Sequence, residues 1–391
     1  MYLAQHIQSC QLFKYSLAIS FVLMSFFTSM ATVITVDNNE NSGALYSSIQ
    51  VAIDAATVGD TIIVAGSETT YDGFTLNKKL VLIGAGYQST EDAQFGFTTK
   101  VNHMVIKNEN PALDLNASGS HIEGFYVNGV VTTAGGNYRY ISVGFEGTES
   151  NTLTNVTFTR NRCESVHLSY FSNIKIYNNI LDNIGYAPNY NSVYGDYPFG
   201  SNLLVANNIF TGGVARVKGS QIFINNLFIG SDQVYDVFFS GVGITNQASG
   251  IVFSNNILWG RATGGASNVA LTHNLVLTSE GGETFDYGTN STGNNLENVN
   301  PKFVDVPEFA LDFSYDYRLA EDSPCKGTGS DGTEMGIFGG PYPFPSAGDV
   351  PNVIVTESRI PKITDFNIRS AAVPEGSSIE IDLKARVSNN Q

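Results

Sequence analysis

Arg216-Val217-Lys218 places two cations two residues apart, which on a strand means one shared face, with Ala215 and Val217 expected to turn inward. Two aromatic-rich stretches flank it. Gly185 to Gly200 carries Tyr186, Tyr190, Tyr194, Tyr197 and Phe199 with Asp196, and Gly230 to Gly250 carries Tyr235, Phe238 and Phe239 with Asp232 and Asp236. Flat rings suit the apolar faces of sugars, and adjacent cations suit carboxylate or sulfate groups. A lyase acting on an acidic polysaccharide needs a base to take the proton beside a uronate and a cation to make that proton acidic. Arg216, Lys218 and His167 are therefore the candidate catalytic residues. Tyr190, Tyr194, Tyr197, Asp196, Tyr235 and Asp236 are the candidate substrate contacts. The plainer reading is solvated charge for Arg216 and Lys218, and a polar residue on a strand's outer face for His167.

A repeat is what could position these groups. Ile174-Lys-Ile-Tyr-Asn-Asn-Ile-Leu181 returns as Leu203 to Phe210, Gln221 to Phe228, Ile251 to Leu258 and Val269 to Val276, with a weaker copy at Val156 to Cys163. Counted on the second asparagine (Asn161, Asn179, Asn208, Asn226, Asn256, Asn274), the spacings are 18, 29, 18, 30 and 18 residues, and Asn294-Asn295 offers one more copy. Three residues before each marker stands a large apolar residue: Phe158, Ile176, Val205, Phe223, Phe253, Leu271. That is strand alternation with one face turned inward. A βα unit needs about 30 residues, so an 18-residue coil suits three short strands with tight turns. The expected fold is all-β, a right-handed parallel β-helix. One asparagine per coil, stacked at about 4.8 Å, can satisfy a bent corner of the backbone. The 29- and 30-residue coils hold the two aromatic insertions, which are expected to leave the same part of the coil and flank one groove. His167 should then project two coils from Arg216, about 10 Å away.

The chain has 391 residues, 42% of them hydrophobic, and a solenoid can exceed the single-core size limit because it grows along one axis. Charge is sparse and lopsided, 36 acids against 20 bases for a net −16, the opposite of a nucleic-acid binder. Three cysteines make no disulfide scaffold. Cys163 and Cys325, about 30 Å apart if the coils stack regularly, read as buried small hydrophobes.

Lys14, the apolar run 15–27 and Ser29-Met30-Ala31 have the order of a secretory signal, with a run too short to span a membrane. Residues 1–31 are thus expected to be a signal peptide that takes Cys10 with it, leaving a mature chain that is secreted or at the cell surface, without a transmembrane span, and monomeric. Ser47 and Gln50 have the spacing of a capping box, and Ile49, Ala52, Ile53 and Ala56 share one face of a short helix before Gly59. Such a helix would plug the first edge of the solenoid.

This helix-then-strand entry (Ser48-Ile-Gln, Ala52-Ile-Asp-Ala-Ala56, Gly59-Asp-Thr-Ile62), the Leu82-Ile-Gly-Ala-Gly86 strand end and the asparagine-marked coils resemble the pectate-lyase-like superfamily of parallel β-helix proteins. The resemblance covers roughly residues 45 to 345. Within it, Arg216-x-Lys218 is similar to a motif of polygalacturonase-type hydrolases, but the chain has no Asp-Asp pair and no Gly-His-Gly. An inverting hydrolase needs two opposed carboxylates, so hydrolysis is the weaker expectation. No calcium-ligand cluster of the pectate-lyase kind is visible, and Ca2+ is the one cofactor left open. The resemblance also implies that Asn300-Pro-Lys-Phe-Val-Asp305, Asp316-Tyr-Arg-Leu319, Ser323-Pro-Cys325 and Met335 to Gly340 close the far end as two strands and a glycine-rich crossing. Pro341, Pro343 and Pro345 mark a linker to a tail (346–391) with two strand-like runs. Two functions remain: a protein that binds an acidic polysaccharide and, as a lyase, cleaves it, or a non-catalytic adhesin or structural glycan-binding solenoid.

Overall fold

Each coil opens with a strand whose alternate residues enter the core. The column Ile62, Leu82, Ile122, Phe158, Ile176, Val205, Phe223, Phe253 is fully buried, and its members pair from coil to coil. The computed structural model describes residues 31–87, 98–110, 112, 115–129, 142–186, 200–215, 217, 219, 221–230, 250–260, 268–278, 291–344, 362–368 and 381–386. Its described strands build two long parallel sheets, one running from Val33–Val36 to Ser291–Gly293 and the other from Phe74–Leu76 to Leu296–Glu297. This is a parallel β-helix.

Ile49–Ala55 is the one helix among the described residues, and Ile49, Ala52 and Ile53 are its buried face. The N-cap is Ser48, which accepts from Val51 N, so the serine–glutamine box expected from Ser47 does not form. Gln50 instead accepts from Thr75 N at 2.8 Å and ties the helix to the strand Phe74–Leu76. The Lys78 ammonium bonds the carbonyls of Ile53, Asp54 and Ala56, where the helix dipole favours a cation.

After the first strand comes the Asn-Asn corner. From Arg160 onward the first residue of the corner is left-handed: φ is 58° at Asn178, 52° at Asn207, 54° at Asn225, 58° at Asn255 and 54° at Asn294, with Arg160 (55°) and His273 (53°) in the same place. Asparagine tolerates that conformation better than most residues. The second asparagine is buried, and its side-chain N–H donates to the next coil's side-chain oxygen. The ladder runs Asn161 to Asn179 (3.3 Å), to Asn208 (3.0 Å), to Asn226 (3.1 Å), to Asn256 (2.9 Å), to Asn274 (3.0 Å), to Asn295 (3.1 Å). Each receiving oxygen also accepts the previous asparagine's backbone N–H, between 2.8 and 3.0 Å.

The second strand buries both of its faces. Leu181, Phe210, Phe228 and Leu258 point inward, and Phe210 and Phe228 stack at 4.6 Å. Ile180, Ile209, Leu227, Ile257 and Leu275 point outward and are buried all the same. What covers them is the segment 299–344, which corrects the expectation that this segment crosses the far end. It runs back along the outside of the coils, and the left-handed asparagines hold it. Ser330 N donates to Asn255 Oδ1, Asn225 Nδ2 donates to the Glu334 and Gly336 carbonyls, Asn207 Nδ2 to those of Ile337 and Gly339, and Asn178 Nδ2 to that of Pro343. The expected strands do pair, Phe303–Asp305 antiparallel with Asp316–Leu319, and they pack around Trp259. Lys362–Ile368 and Ile381–Arg386 form a second antiparallel hairpin. Cys163 and Cys325 are both free and buried.

Candidate functional site

His167 stands toward the end of Arg162–Ser169, in which the second strand of the coil runs on into the third without a break, as it also does in Ile180–Tyr186. Val166 and Leu168 are fully buried on either side of it, so the imidazole turns outward, and it is half-buried. Its ladder partners are Gly144 in the preceding coil and Gly185 in the next, with Val105 and Ala215 one step further. The row therefore presents one functional group between two glycine positions, both of them buried. The adjoining outer row is Lys107, Glu146 and Ser169. The Glu146 carboxylate leans back over the row of His167: a Cβ placed on Gly144 would lie 3.3 Å from Glu146 Oε1. An imidazole and a carboxylate on adjoining outer rows are the residue types of acid–base chemistry. Lys107 pairs with Glu109 at 3.2 Å.

Where the second strand bends into the third, Glu164 is exposed, while Asp182 is committed to structure, accepting from Asn183 Nδ2 (2.6 Å) and Thr211 Oγ1 (3.2 Å). A second polar pair lies on the outer face of the first sheet, His121 Nε2 3.2 Å from Glu123 Oε2, with the glutamate 2% exposed.

Of the expected site residues, His167 is the one within the described residues. Arg216, Lys218, Tyr190, Tyr194, Asp196, Tyr197, Tyr235 and Asp236 lie outside them. Val217 is buried, as the alternation expects, and the backbone of Ala215 pairs with that of Gly185. The two insertions also leave the coil at different points, one after Ile180–Tyr186 at the end of the third strand, the other after Leu227–Ile229 on the second. Among the described residues no group of three or more His, Cys, Asp or Glu could hold a metal ion, and no helix is long and apolar enough to cross a membrane.

Glu146 and Lys107 were absent from the sequence-derived set. Their signal was Val143-Gly-Phe-Glu146, which alternates as Val166-His-Leu-Ser169 does, but it lacks the asparagine marker that would have set its register.

No family model matches the chain, and no match is found among curated proteins. The class is defined by the fold alone: a parallel β-helix with an internal asparagine ladder.

Proposed function

We propose that this chain is an exported, right-handed β-helix protein of the pectate-lyase-like kind that binds an acidic polysaccharide along the outer face of its third strands. The observation that carries the reading is the row Gly144–His167–Gly185, an outward imidazole whose ladder partners on both sides are glycines. An extended polymer laid along the coil axis would meet that row at the ladder spacing of about 4.8 Å. Fold alone does not fix activity; what supports the reading is this row together with the aromatic-rich insertion that follows it in the chain after Tyr186.

The test is calorimetric titration of the full chain with pectate, alginate and a glycosaminoglycan. Binding of one of them, weakened by His167→Ala, supports the reading; no binding of any sinks it. Lyase-type cleavage is the second reading, favoured by the Glu146 carboxylate beside the row of His167. It predicts growth of the ultraviolet absorbance of an unsaturated product in the same mixtures. Binding without that signal leaves the non-catalytic adhesin. Export is tested by the mature N-terminus, expected near Ala31.

A further inference from the structure

On the second strand, one row departs from the apolar column that segment 299–344 covers. Where later coils place Ile180, Ile209, Leu227 and Ile257, the earlier ones place Lys100, Tyr126 and Arg162, paired in that order. The Arg162 guanidinium carbon lies 4.8 Å from the Tyr126 ring centroid and 5.3 Å from that of Phe313. Both rings hold the cation in place and leave its N–H groups for an acceptor oxygen. Among the described residues, neither Arg162 nor Lys100 has a carboxylate within 4.0 Å. In a chain with 36 acids and 20 bases, two half-buried cations without an acid between them run against the composition.

A second observation points to the same place. Tyr87 is 2% exposed, and its hydroxyl is buried with no hydrogen-bond partner. It belongs to the apolar cluster against which Tyr126 packs. Burial raises its pKa, and the positive charges of Arg162 and then Arg160 oppose the rise. A buried hydroxyl left unbonded is destabilising, and an incoming oxyanion would supply the missing partner.

We propose that Arg162, the Tyr87 hydroxyl and Lys100 form a carboxylate-recognition subsite for an acidic sugar. The planar guanidinium takes a carboxylate through two parallel N–H bonds, the phenol donates a third, and Lys100, about 10 Å along the row, meets the next acidic group of the polymer. The subsite lies on the second strand rather than the third. It rests on the acidic-polysaccharide reading for its ligand but not for its residues.

The experiment titrates the full chain with an oligogalacturonate, its neutral methyl ester, galacturonate monomer and inorganic sulfate at constant ionic strength. The expected result is binding of the acid forms over the ester, weakened about tenfold or more by Arg162→Gln and by Tyr87→Phe, which keeps the packing. Lys326→Gln is the surface control and should change nothing. Equal oligogalacturonate binding by wild type and Arg162→Gln overturns the subsite while leaving the polysaccharide reading intact. Sulfate binding as tight as galacturonate overturns the carboxylate assignment. Monomer binding that depends on Arg162, with no polymer bound, upholds the subsite and sinks the broader reading.

Discussion

Tyr342 stacks on Tyr177, with ring centroids 4.6 Å apart and planes 26° from parallel. The contact fastens the returning segment to a coil 165 residues earlier, beside the hydrogen bond from Asn178 to Pro343. A ring pair of this kind contributes about 0.5–1.5 kcal/mol beyond the area it buries. Tyr342→Ala should therefore leave the coils folded while speeding proteolysis within 330–344, as followed by limited digestion and mass spectrometry.

Trp259, the single tryptophan, is 6% exposed and lies 4.6 Å from Phe309 and 5.6 Å from Phe303, centroid to centroid. It reports whether the segment is seated. Ile337→Asp puts an unpaired charge where a buried isoleucine stood, a change that costs several kcal/mol or displaces the segment. The expected readout is a red shift of tryptophan emission with little loss of far-ultraviolet β signal. An unshifted spectrum would contradict the covering role assigned to 299–344.

Asp316 is 2% exposed and accepts from Arg318 Nε at 2.9 Å, and these bonds hold its carboxyl below the ordinary carboxylate range. A depressed folded-state pKa contributes stability that is present above the unfolded value and lost as pH falls through the folded one. Acid titration should thus loosen the Phe303–Leu319 hairpin below the normal aspartate range, seen as a shift in Trp259 emission. Asp316→Asn should weaken the hairpin at neutral pH and flatten that transition. Glu334 works in the opposite sense, since burial raises its carboxyl.

Asn208 is fully buried; its amide donates to the Ile176 and Ala206 carbonyls and to Asn226, and its oxygen accepts from Asn179. Asn208→Ala leaves several of these groups buried and unbonded, so a loss of about 2–4 kcal/mol is expected in denaturant unfolding. Asn295→Ala, at the half-exposed last rung, should cost less. Equal losses at the two positions would contradict the ladder as a source of stability.

Gly144→Ala puts a methyl group at the buried position beside His167. Its Cβ would meet the flexible end of Glu146 rather than backbone, so the coil should tolerate it. The expected result is a several-fold loss of polysaccharide affinity with the melting temperature changed by only a few degrees. Undiminished affinity would move the binding face away from this row.

The coils were readable because alternation and the asparagine marker recur together, from Phe158–Asn161 to Leu271–Asn274. The helix was readable for the same reason, its apolar face being Ile49, Ala52, Ile53 and Ala56. The return of 299–344 was not. Ile180 and Leu181 are both apolar, and alternation cannot show what covers the outward one when a strand is buried on both faces. Nor was the row around His167 fully legible. Its neighbours Gly144 and Gly185 carry no side-chain signal, and they meet His167 only through a pairing across coils. Arg162 was visible as a break in the apolar column, but the rings of Tyr126 and Phe313 that hold it come from 36 residues before and 151 after in the sequence.

The amide contacts that bridge the two long coils, Asn179 to Asn208 at 3.0 Å and Asn226 to Asn256 at 2.9 Å, are as short as those bridging 18-residue coils. Excursion length is thus uncoupled from the geometry of the rungs. Foreign loops grafted at 187–199 or 231–249 would inherit the same rigid anchorage, so recognition can diversify by descent or by engineering while the rail beneath stays as it is.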